Sequence, residues 1–272
     1  MARGESMSPP GEGAVPAAAG RRPGMADGTA ADGSREPSPG RGGAGGGQLR
    51  PGLPLLAASI RPWAGALLAG CAILVAVLGA VFAHQTTADR FDRAVDSPVI
   101  SSLGGHQGVL LWLAAPGSYL PAAVLSAIIV AACLVAGRLN GAVLGAAAVP
   151  VTVGLNDGLL KHLFHRTYRG DLSYPSGHTA AVFALAATAT VLLLVPPRPA
   201  RGGVLPGLIP AAACVLGIVV AVAVIGLQYH YFTDTVAGAA VGTGTVCGLA
   251  LILDRPVPRR WLTRAGRWRP AA

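Results

Sequence analysis

Charge is what this sequence has least of. Only 12% of its 272 residues are Asp, Glu, Lys or Arg, against 52% hydrophobic, and the mean hydropathy is +0.55. A soluble domain of this length carries about 25% charged residues to cover its surface, so that class is excluded. Cysteine is scarce too. Cys71, Cys133, Cys214 and Cys247 each fall within an apolar run and show no metal-ligand spacing, so they read as small packing residues. There is no HExxH and no Cys/His cluster, hence no sign of a metal site. No internal repeat is present. Nor does any apolar run carry the repeated buried charges or broken-helix pair expected of a channel or transporter.

What the chain does have is long uncharged stretches. Apart from His84, nothing between Arg61 and Asp89 ionises at neutral pH, and 139–156, 172–197, 202–233 and 235–253 are similarly bare except for His178 and His230. Crossing a hydrocarbon layer of about 30 Å takes about 20 largely apolar residues in a helix. Six spans are expected, near 62–83, 116–136, 141–160, 179–195, 207–228 and 233–253. The fold class is therefore all-α, a polytopic helical membrane bundle. Residues 1–55, rich in Gly, Pro and Arg without hydrophobic periodicity, read as a disordered cytoplasmic tail. Residues 56–254 form the six-span domain, and 255–272 a basic cytoplasmic tail. The first apolar run begins near Leu53, too far along for a signal peptide.

The formal net charge of +9 invites a nucleic-acid reading, but its placement argues for a membrane. With both termini inside, the outer side holds only Arg90, Arg93, Lys161, Arg166 and Arg169, leaving sixteen of the twenty-one Lys and Arg residues on the cytoplasmic side. That is the positive-inside asymmetry. The C-terminal Arg259-Arg260-Trp261 and Arg267-Trp268-Arg269 suit anionic headgroups, so the partners are membrane lipids and not nucleic acid.

This orientation puts His84–Ala115, Lys161–His178 and the turn around Gln228–Asp234 outside. The first of these carries Asp89, Arg90, Asp92, Arg93 and Asp96, a mixed set that reads as a solvated cap. The second opens with Lys161-His162-Leu163-Phe164-His165-Arg166-Thr167-Tyr168-Arg169, cations suited to the oxygens of a phosphate. Equally, Lys161 could simply mark the interface, paired with Asp157 four residues before it. Tyr174-Pro175-Ser176-Gly177-His178 follows. Ser176 can cap the helix that comes next, Gly177 lets a ligand approach the backbone, and His178 lies in the first turn beside the free N–H groups. In the third segment His230 and Asp234 are four residues apart, where a carboxylate can fix an imidazole tautomer and sharpen the other nitrogen as a nucleophile. Titrating groups this close to a membrane core are costly to keep and mark function.

The order Lys161…Arg166, Tyr174-Pro175-Ser176-Gly177-His178-Thr179 and His230-Tyr231-Phe232-Thr233-Asp234 resembles the type 2 phosphatidic acid phosphatase superfamily, over roughly Arg61 to Leu253. That resemblance implies His230 as the nucleophile that takes a phosphoryl group, Asp234 as its orienting partner, and His178 as general acid and later base. It implies Lys161, Ser176 and the Gly177 backbone as phosphate ligands, and no metal or other cofactor. Two departures stand out. The family's first motif places an Arg-Pro pair after six intervening residues, whereas here Tyr168 fills that position and Arg169-Gly170 follows one residue late. Arg166 and Arg169 both remain open as the phosphate-binding arginine. The family's third motif begins Ser-Arg, where this chain has Ala223-Val224.

The expected activity is hydrolysis of a lipid phosphate or diphosphate at the extracytoplasmic face through a phosphohistidine. Transfer to an alcohol, or a catalytically impaired lipid-binding protein of the same fold, are the competing expectations.

Overall fold

In the lipid interior every backbone N–H and C=O must find its partner within the segment, so each apolar run becomes a helix. In a computed structural model of the protein the described residues are 54–194 and 205–255. The tails expected at 1–55 and 255–272 lie outside the described residues except for positions 54, 55 and 255, and Arg198 and Arg201 lie outside them too. Leu55 and Leu56 are buried, each donating its N–H to the Asp254 carboxylate at 2.7 Å.

The elements run α1 (Arg61–Phe82), α2 (Arg90–Leu103), α3 (Gln107–Ala114), α4 (Tyr119–Val135), α5 (Leu139–Leu155), α6 (Lys161–Phe164), β1 (Thr167–Tyr168), β2 (Asp171–Leu172), α7 (Gly177–Leu193), α8 (Leu205–Gly226) and α9 (Phe232–Leu253). Among the described residues four helices have the length and apolarity to cross a membrane: α1, the continuous Leu139–Phe164, α8 and α9. A fifth span forms if Gln107–Gly117 and Tyr119–Val135, bent by 43° at Ser118, act together. The remaining expected span is α7, only 17 residues long. It packs against α4, α5, α8 and α9, and most of its side chains are buried by those helices, not presented to lipid.

Glycines on α9 set the depth of that packing. A Cβ at Gly238 would overlap the Ser176 carbonyl oxygen, and one at Gly242 the Ala180 carbonyl oxygen, so α9 lies directly on the backbone of α7. The first turns of the two helices are thereby locked side by side, and the Ser176 N–H donates to the Asp234 carbonyl at 2.9 Å.

Between α6 and α7 the chain makes a small antiparallel hairpin, Thr167 opposite Leu172 and Tyr168 opposite Asp171. Its turn, Arg169-Gly170, has φ of +53° and +95°, the left-handed pair that a two-residue hairpin needs. A proline at position 170 could not adopt that φ. The Arg-Gly sequence, offset by one from the family's Arg-Pro, is therefore matched by a local turn.

Candidate active site

His230 sits in the short connection between α8 and α9. α8 ends where Gln228 turns left-handed (φ +60°) and Tyr229 donates its N–H to the Val224 carbonyl at 3.0 Å, turning the chain back toward α7. The imidazole is buried, and its Nδ1 lies 2.9 Å from the Ser173 carbonyl. A carbonyl only accepts, so Nδ1 carries the proton and Nε2 keeps its lone pair. Burial, with Lys161 and His178 nearby, pushes this imidazole down to about 3, so it is neutral at physiological pH. That is the state a nitrogen nucleophile requires.

Sequence reasoning assigns Asp234 to orient this ring. The geometry differs: Asp234 Oδ2 is 3.9 Å from Nδ1, outside hydrogen-bond reach, and accepts instead from the Tyr231 N–H at 3.1 Å. Its Oδ1 accepts from Arg166 Nη1 at 2.6 Å. Asp234 thus caps α9, holding the turn that carries His230, while a backbone carbonyl fixes the ring. No sequence pattern announces a carbonyl acceptor.

His178 is the second residue of α7, its Nε2 3.5 Å from Ser118 Oγ. The two imidazole centroids are 6.3 Å apart with planes inclined at 62°. Both rings line a cavity of about 490 Å³ that also takes in Lys161, Arg169, Asp171 and Gly177. Lys161 Nζ is paired with Asp157 Oδ1 at 2.8 Å, so the lysine both faces the cavity and holds a carboxylate. A π-helical turn, Asn156–Leu160, carries Asp157 into this position; such turns recur at functional sites. Arg169, exposed at the hairpin tip, reaches across to Gln228 Oε1 at 2.5 Å.

Two of the expected phosphate ligands lie elsewhere. Arg166 does not line the cavity. Its guanidinium is fully buried, bonded to Asp92 and Asp234, donating to Thr233 Oγ1 at 2.7 Å and stacked on the Phe82 and Tyr231 rings. Ser176 is also fully buried, its hydroxyl turned back toward Thr179 as the cap of α7. Val224, where the family has its third-motif arginine, is buried in an apolar cluster with Leu110, Val182 and Val220.

The reading of 89–96 as a solvated cap fits Arg90 and Arg93, which are exposed, but is corrected for two of its acids. Asp92 and Asp96 are both buried and accept from the first N–H groups of α9: Thr233 N–H to Asp92 Oδ1 at 2.9 Å, and Phe232 N–H to Asp96 Oδ1 at 3.1 Å. α2 lies outside the spans, and here burial together with the Asp92 carboxylate raises Asp96 to about 7. The i,i+4 spacing of the two acids was the available signal; which face of α2 would be covered is a tertiary fact. Ser118, Tyr168 and Gln228 also line the cavity and were not singled out, since none carries a charge. Among the described residues no group of three His, Cys, Asp or Glu side chains is arranged to hold a metal ion.

The described residues thus form a bundle of apolar helices in which two histidines meet at one cavity with Lys161 and Arg169. The family model of the PAP2 superfamily matches residues 122–258, just over half of the chain, and the protein belongs to that superfamily. Its fold resembles that in the crystal structure of the first transmembrane PAP2-type phosphatidylglycerolphosphate phosphatase from Bacillus subtilis, with a TM-score of 0.51 at 17% identity, covering 74% of this chain and 98% of that one. Among curated proteins none matches this sequence.

Proposed function

We propose that the protein hydrolyses a lipid phosphate at the extracytoplasmic face of the membrane through a phosphohistidine on His230. His230 Nε2 attacks phosphorus, the P–O bond to the lipid alkoxide breaks, and His178 gives that alkoxide a proton. Water then attacks phosphorus as His178 takes its proton, the P–N bond breaks with its electron pair returning to Nε2, and inorganic phosphate leaves. Lys161, Arg169 and the N–H groups at the start of α7, around Gly177, neutralise the phosphoryl oxygens. Asp234 and Arg166 act as positioning residues for the His230 turn, and Ser176 as the cap of the anion-binding helix. The extracytoplasmic face is inferred from the placement of the cations.

The observation that carries this reading is the 6.3 Å separation of two imidazoles on the wall of one cavity with Lys161 and Arg169. The decisive experiment measures phosphate release from a panel of lipid phosphates by the purified protein in micelles, with chelator present. His230→Ala should abolish release, and full activity in that variant would remove the proposed nucleophile. The apolar burial of Val224 favours a second reading, a lipid-binding protein with impaired catalysis. In that case the wild type binds the phosphate mimic vanadate but releases no phosphate. Transfer to an alcohol in place of water would appear as a phosphorylated acceptor when alcohols are added.

A further inference from the structure

The anion pocket is lined and backed by as many carboxylates as fixed cations. Asp157 lies 2.8 Å from Lys161, its other oxygen accepts from Tyr119 Oη at 2.8 Å, and Asn156 Nδ2 lies 3.1 Å from the first. The same carboxylate adjoins the start of α7, 3.6 Å from where a Cβ at Gly177 would stand. Asp171 lines the cavity from the hairpin, beside Arg169 at its tip. Among the described residues Lys161 and Arg169 are thus balanced by Asp157 and Asp171, and the position of Val224 adds no third cation. A carboxylate held within a membrane-spanning helix is costly and calls for a function.

A phosphate monoester carries at most two negative charges and is met by the directed donors of Lys161, Arg169 and the start of α7, with a proton from His178. A diphosphate brings a further phosphoryl group and further charge into a space with no added cation among the described residues, one carboxylate on its wall and a second behind Lys161. We propose that Asp157 and Asp171 make the site selective for phosphate monoesters over diphosphates. This inference rests on the hydrolase reading and sharpens its substrate class. One extra unit of negative charge about 6 Å from a carboxylate is opposed by about 100-fold at an effective dielectric of about 20, and by about tenfold once ions screen the mouth of the cavity.

The test compares a prenyl monophosphate and a prenyl diphosphate of the same chain length, with inorganic phosphate and pyrophosphate as competitive inhibitors. Wild-type protein is expected to bind phosphate at least as tightly as pyrophosphate. Asp157→Asn should move the diphosphate-to-monophosphate ratio of kcat/KM, and the corresponding inhibition ratio, about tenfold toward the diphosphate. Asp171→Asn, on an exposed strand where folding is little affected, should move both about two- to threefold the same way. Leaving-group chemistry is common to wild type and variants, so the change in ratio isolates charge. Tighter inhibition of wild type by pyrophosphate, or ratios unmoved in both variants, overturns the proposal while leaving the hydrolase reading intact. No phosphate release from either lipid by the wild type takes both down.

Discussion

Replacing Arg166 by Met removes the guanidinium lodged between Asp92 and Asp234 while keeping most of the stem that packs against Phe82 and Tyr231. Both carboxylates are fully buried, so neither can recover its lost partner from water. Removing one member of a buried ion pair costs about 3–5 kcal/mol, because the other charge is left uncompensated. Unfolding followed by denaturant titration in mild detergent should show a loss of that size. Adding Asp92→Asn to Arg166→Met should restore about 1–3 kcal/mol by deleting one stranded charge, a non-additivity expected of groups in contact. Arg169→Met gives the mirror image. Arg169 is exposed, so stability should change by less than about 0.5 kcal/mol. Vanadate binding should weaken by about 10- to 100-fold, the equivalent of one charged hydrogen bond of about 1.5–3 kcal/mol. An Arg166→Met protein as stable as wild type yet blind to vanadate would refute this division of labour and make Arg166 the phosphate ligand.

Three further outcomes are expected. Gly242→Ala forces a methyl group into the Ala180 carbonyl, and overpacking of this kind costs about 1–3 kcal/mol; thermal unfolding should register it, with phosphatase activity falling because both histidine motifs ride on the displaced helices. Asp96 has a folded pKa of about 7, above the ordinary carboxylate value, so the unfolded chain holds fewer protons between about pH 4 and 7; stability contributed by this group is complete below pH 4 and lost as pH rises to 7. Stability of Asp96→Asn relative to wild type should accordingly climb across that window and level off above it, and a flat difference would exclude the carboxyl as the cause. His178→Gln should lower kcat on an alkyl lipid phosphate by about 10²–10⁴-fold; formation of the phosphoenzyme from p-nitrophenyl phosphate, whose leaving group needs no proton, should fall far less. Equal losses on both would argue against a general acid.

Much of the fold was legible because span formation is a local matter: the length and apolarity of a run decide whether it becomes a helix in lipid. α1, α8 and α9 match expectation to within about two residues at each end. α7, expected at 179–195, matches as closely, and the helices packed around it make up for a length of only 17 residues. The two histidine motifs were legible for a different reason. Titrating residues beside bare apolar stretches stand out against their background, and their order along the chain resembles a known pattern.

The sequence by itself determined the class of molecule, the helices, and the presence of two histidines, a lysine and arginines near one membrane face. The tertiary structure alone decided what each group touches. Arg166 and Arg169 are three residues apart and chemically identical, yet a left-handed turn at Arg169-Gly170 leaves one at the cavity, while α2 closes over the other. The acceptor for His230 is a backbone carbonyl 57 positions away, and Asp157 reaches the site through a π-turn in its helix. Side-chain type is written locally, but hydrogen-bond partnership depends on distance in space, set here by glycines that let α9 lie against the backbone of α7.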